Sequence, residues 1–166
     1  MFQLLGVIAL FDLSLYRTTI VTGLKKELNI PVIRSNQTAP APPYPYLSYT
    51  ITTLMNDKNG TWGEYADGYN RKPFTQVWSI TIQSDNSEQT MNLCIKARDW
   101  LDRIGKTYLN DNGVIVQSVG AINNRDNLIT IEYEYRMGFD CTMWFLNVLD
   151  SSTEETGQIE TVEFNQ

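Results

Sequence analysis

The sequence contains no histidine, only two cysteines, and 13 basic side chains against 19 acidic ones in 166 residues. Each shortage excludes something. Without histidine, the usual general base near neutral pH and the commonest metal ligand are missing, so histidine-based triads and zinc hydrolase sites are ruled out. Cys94 and Cys141 stand far apart and outside any C-x-x-C arrangement. Structural thiolate–metal sites go with them, and the pair reads as small buried hydrophobes in a reducing compartment. A net charge of −6, with no basic run beyond Lys25-Lys26, argues against a protein that grips phosphate backbones. The apolar start, Met1 to Phe11, is too short to span a bilayer and lacks the positive flank and cleavage site of a signal peptide. We read it as a buried or partner-facing segment. Glycine-rich phosphate loops, nucleophile elbows and dinucleotide fingerprints are also missing, so the expectation is a non-enzyme with no cofactor, no metal and no membrane partner.

What remains is material for a core: 42% hydrophobic and 11% aromatic residues, enough for one domain over residues 1–166 without staples. Asp12 is a good N-cap, and Leu13, Tyr16, Ile20, Val21, Leu24 and Leu28 recur at helical spacing up to Asn29 and Pro31. A short extended piece follows. Residues 38–45 then hold four of the six prolines, which forces extended geometry. Residues 46–54 alternate as a strand with one buried face. Residues 75–84 do the same, with Trp78, Ile80 and Ile82 on one side and Val77, Ser79 and Thr81 on the other. Asp85-Asn86-Ser87 with Glu88-Gln89 opens a second helix, whose apolar face runs Leu93, Cys94, Ala97, Trp100, Leu101, Ile104 and stops at Gly105, read as a C′ residue. Strands are expected at 114–119 and 128–136, the latter with Tyr133 and Tyr135 inward and Glu132, Glu134 and Arg136 outward. A break is expected at Met137-Gly138, then an apolar returning strand over 139–149. The acidic tail, residues 150–166, adds a possible terminal strand at Ile159 to Phe164. The fold class expected is α+β, a largely antiparallel sheet packed against two main helices.

Residues 55–73 are set apart as an extended hairpin arm, turning at Asn59-Gly60. Trp62, Tyr65, Tyr69, Arg71 and Phe74 cluster around it, and these residue types dominate interface energetics. The arm either folds back on its own domain or inserts into a neighbour; an assembly contact is the preferred reading. Glu132 and Glu134 lie about 7 Å apart on one strand face, within the range of paired glycosidase carboxylates. Arg125 and Arg136 are close enough in sequence to pair with them, however, so we read a solvated or intersubunit salt-bridge face. Asp57 to Gly60 and Asn110 to Gly113 lack calcium-loop spacing and read as turns.

Taken together, PYPYLSYTIT from Pro43, VWSITIQS from Val77, SEQTMNLCIKARDWL from Ser87 and above all EYEYRMGFD from Glu132 to Asp140 resemble the neck or tail terminator proteins of tailed bacteriophages. The resemblance covers most of the chain. It implies an α+β subunit without catalytic residues, located in the virion after assembly in the host cytoplasm. Such a subunit forms a ring, usually of six, that caps the head-proximal end of the tail tube and stops its polymerisation. Its partners would be further copies of itself, the tail tube protein, the head–tail connector or adaptor, and the sheath protein if the tail is contractile, with DNA only passing through. Under this reading Asp150, Glu154 and Glu155 supply negative charge to the lumen, which keeps DNA free to slide. A head-closure adaptor, another tail part, or a monomeric ligand- or peptide-binding module are the alternatives.

Overall fold

The computed structural model describes residues 11–57, 61–64, 67–129 and 132–150, with the backbone alone at 64, 127–129, 132 and 133. Helix α1, Leu13–Leu28, starts where Asp12 accepts a hydrogen bond from the Ser14 N–H at 2.8 Å. It ends at Asn29, whose left-handed φ of 54° lets its N–H reach the Lys25 carbonyl at 3.0 Å. Ile20, Leu24 and Leu28 are buried along one stripe. Asp12→Ala removes the cap and should lower stability by about 1 kcal/mol, read as a shift in the urea midpoint at unchanged slope.

Strand β1, Val32–Arg34, pairs in parallel with β2, Tyr46–Asn56; all other pairings are antiparallel. β2 is joined through β3, Gly63–Glu64, to β4, Tyr69–Ser84, and the sheet order runs β1-β2-β4-β8-β5. β5 is Ile115–Val119 and β8 is Glu132–Asp150; the short β6, Asn123–Asn124, and β7, Asn127–Ile129, pair with β8. The molecule is α+β, as expected. Helix α2, Ser87–Asp99, lies against β4 and β8 and next to α1. Alternate residues Phe74, Trp78, Ile80 and Ile82 of β4, with Phe139, Cys141, Met143 and Phe145 of β8, point into this layer and meet Ile20, Leu24, Cys94, Ala97 and Leu101 in one contiguous core. β8 is a central strand, its backbone paired along both edges by β4 and β5, with Cys141, Met143 and Phe145 buried on the core face and Trp144 and Leu146 half-buried on the other.

Three expectations fail for physical reasons. Met137-Gly138 does not break a strand, because β8 continues through it and pairs with β4 from Tyr69↔Asp150 to Ser84↔Tyr135. Gly138 is there for close approach: a Cβ would sit 2.5 Å from the Ile80 carbonyl oxygen. Residues 128–136 are not one strand either, since β7 and β8 pair with each other, Ile129 opposite Glu132. Finally, the second helix does not stop at Gly105. A π-helical turn, Trp100–Ile104, follows α2 and leads into α3, Lys106–Asp111. Gly105 has φ −84° and ψ −2°, not a left-handed cap, and its N–H bonds the Trp100 carbonyl at 2.7 Å. The wider turn rotates Ile104 into solvent, 62% exposed, and lays the Trp100 indole against Gly105 and Gly23, where any Cβ would come within 2.4 Å of the ring. The possible terminal strand at 159–164 and the Asn59-Gly60 turn lie outside the described residues.

Candidate assembly interface

The arm is less free than the sequence suggests. Its returning limb is the first part of β4, paired on one side with β3, Gly63 opposite Arg71, and on the other with the end of β8, Asn70 opposite Leu149. Trp62 is 45% exposed with the Lys72 ammonium 5.8 Å from its ring centre, and Lys72 also forms an ion pair with Asp57. The Arg71 guanidinium grips Asp67 through two hydrogen bonds of 3.1 and 2.6 Å and lies 6.0 Å from the Tyr69 ring centre. The hydrogen bonds from Lys72 and Arg71 hold the Asp57 and Asp67 carboxyls below their ordinary range. Leu54, Met55 and Leu149 are exposed at the same end of the sheet. Phe74, expected at an intersubunit contact, is instead buried in the chain's own core against Phe11 and Phe145. Strand parity explains this, because Phe74 shares the inward face with Trp78. Tyr65 lies outside the described residues.

Glu134 is likewise corrected. It is 5% exposed, not outward, and accepts hydrogen bonds from the Tyr44 hydroxyl at 2.7 Å, the Tyr46 hydroxyl at 3.5 Å and Arg136 Nε at 2.7 Å. Arg136 also pairs with it through Nη2. The expected Arg136 pairing is present but within the chain, so Glu134 is not a solvated or shared carboxylate. Burial, then the neighbouring carboxylate, pushes the Tyr44 phenol up to about 12; the same two influences raise Tyr46. Of Glu132 only the backbone is described, opposite Ile129.

Among the described side chains Arg125 pairs with Asp140 and not with Glu134. It lies across the sheet face away from the helices, with Nη1 on the hydroxyls of Ser79 at 2.8 Å and Thr81 at 2.9 Å, and Nη2 on Asp140 at 3.0 Å. Sequence reasoning missed this staple and the two tyrosines. The signal available for the tyrosines was PYPY itself, two phenols one residue apart in a rigid proline-rich stretch. Beside Arg125 a cleft of about 440 Å³ opens between residues 33–41 and the sheet, lined among others by Gln37, Ala41, Ser48, Thr81, Arg125 and Arg136.

None of these groups forms a nucleophile–base pair. Cys94 and Cys141 are buried and unbonded, and burial pushes both thiols up to about 12, far from reactive thiolates. Among the described residues no cluster of three or more His, Cys, Asp or Glu could hold a metal ion, and no helix is long and apolar enough to cross a membrane. Asp150 ends β8; Glu154 and Glu155 lie outside the described residues. Against known proteins, no curated protein matches the chain. A family model does, over residues 18–166, which takes in most of α1, the later helices and every strand described above. On that match this chain belongs to the phage neck terminator protein family and is a structural protein of the phage neck.

Proposed function

We propose that the protein forms a closed ring, of six copies, that caps the head-proximal end of the tail tube, ends its polymerisation and offers the head connector a docking surface. Non-enzymatic assembly is its whole role in this reading, with the tail tube and connector proteins as neighbours, the sheath if the tail contracts, and DNA passing through. The observation that carries it is the arm end of the sheet. Leu54 and Met55 near the end of β2, Trp62 just before β3 and Leu149 next to the end of β8 are all 45% exposed or more and lie toward the same end of the sheet. A soluble protein leaves such large apolar groups together at a surface that meets another protein, and a ring lets each copy cover the arm and sheet edge of the next.

Trp62→Glu combined with Leu54→Glu should give a folded monomer by circular dichroism that no longer sediments as a ring. Persistence of the large species would show that the arm belongs to the subunit's own surface. Imaging of virions carrying the labelled protein should place it at the head-proximal end of the tail; label at the tail tip would refute the cap.

A further inference from the structure

The net charge of −6 is unevenly distributed. Residues 151–166 contain Glu154, Glu155, Glu160 and Glu163 and no lysine or arginine, leaving the rest of the chain at −2. The cleft beside Arg125 is lined differently. Its lining includes two guanidinium groups and no carboxylate, while Glu134 and Asp140 hold those arginines from outside the lining. Arg136 uses Nε and Nη2 on Glu134, and Arg125 uses its two terminal nitrogens on Ser79, Thr81 and Asp140. Arg136 Nη1 and Arg125 Nε therefore remain as donors without a partner among the described residues. Ser48 and Gln83 line the floor, and Gln37 and Ala41 stand exposed on the wall. An extended acidic peptide fits such a cleft: carboxylates on the arginines, backbone against the polar floor.

We propose that this cleft receives the stretch around Glu154 and Glu155 from the acidic tail of a second copy of the chain. The source follows from reach. Arg136 and Asp150 lie on one continuous strand, fourteen residues apart, which is about 46 Å at ~3.3 Å per residue. Glu154 and Glu155 follow Asp150 by four and five residues and reach at most about 18 Å beyond it. They fall far short of the cleft of their own chain, so a neighbour must supply these two carboxylates; Glu160 and Glu163, up to thirteen residues past Asp150, reach about 47 Å and are no part of the proposed latch. The proposal rests on the ring reading and deepens it: the tail of each copy latches the next, and Glu154 and Glu155 serve contact between copies instead of the lumen.

The test uses the full chain with a benzophenone amino acid in place of Ala41, or of Gln37 in a second preparation, mixed with a nitrogen-15-labelled copy. Irradiation followed by mass spectrometry should find adducts between copies that map to residues 151–166. Glu154→Lys with Glu155→Lys in the labelled copy should cut their yield about tenfold, the worth of one charge-assisted contact. Adducts elsewhere, or none, in material that sediments as a ring would overturn the latch and leave the ring standing. If no ring forms, the ring reading fails separately and a synthetic peptide of residues 151–166 decides: salt-sensitive labelling supports the cleft as its site, and absence of labelling overturns it.

Discussion

Replacing Glu134 by alanine is expected to cost about 3 kcal/mol, at the lower end for breaking a buried ion pair, measured as the drop in urea-unfolding free energy. The carboxylate gathers three donors from distant parts of the chain, the phenols of Tyr44 and Tyr46 and the Arg136 guanidinium. Its loss leaves the buried Tyr46 phenol and the half-buried Arg136 without their acceptor, while Tyr44 is open to solvent. The cost stays below the upper limit because Arg136 is 29% exposed and can recover water. Glu134→Gln keeps an acceptor for the phenols and should cost about half as much, since only the charge-assisted part is lost. The tyrosines supply a second readout. In the wild type Tyr44 should titrate near 12 against an ordinary 10.0. The folded state thus holds this proton more tightly than the unfolded one. The resulting stability is fully present below about pH 10 and is lost as pH rises through about 12. In Glu134→Gln the absorbance midpoint of Tyr44 should fall only part of the way to 10.0, because burial is the larger cause and the carboxylate the smaller. A midpoint that does not move would mean that the charge on Glu134 does not act on the Tyr44 phenol.

The second large effect is expected at Gly138. A Cβ there meets the Ile80 carbonyl at 2.5 Å and Arg125 Nη1 at 2.8 Å. Arg125 ends a flexible side chain and can move; the Ile80 carbonyl belongs to the neighbouring central strand and cannot move without displacing the pairing. Gly138→Ala should therefore cost about 2–3 kcal/mol, as overpacking and strain in a sheet do, and Gly138→Val should leave little folded protein. Removing the Arg125 side chain as well, in Gly138→Ala with Arg125→Ala, should not restore stability. Recovery in the double variant would assign the clash to the guanidinium and not to the strand.

The two sites also show how far sequence reading reaches. The helices, the strands over 46–54 and 75–84 and the inward set Trp78, Ile80 and Ile82 were readable because side-chain period is a local property. The N-cap at Asp12 and a helix start around Asp85 to Ser87 were readable for the same reason, the structure assigning the second cap to Asn86. Gly138 and Gly105 were misread for one shared cause. Glycine signals a backbone need without saying which, and here both serve a close approach from residues distant in the chain, the Ile80 carbonyl in one case and the Trp100 indole in the other. Glu134 and Phase-matched neighbours on β8 were placed by alternation alone, which cannot tell that Tyr44 and Tyr46 fold over one of its faces.

By itself the sequence determined the α+β class, the absence of histidine chemistry, the acidic balance and the likeness to terminator proteins. These depend on composition, periodicity and short motifs, all local quantities. Only the tertiary structure decided which charges are shared and which are spent inside the chain. Phe74 and Glu134 turn inward, Arg136 is bound to Glu134, Arg125 staples β4 to β8 across Gly138, and Leu54, Met55, Trp62 and Leu149 stay exposed toward the arm end. The physical reason is that burial and pairing are set by segments tens of residues apart in sequence, and no local pattern records which of them will meet.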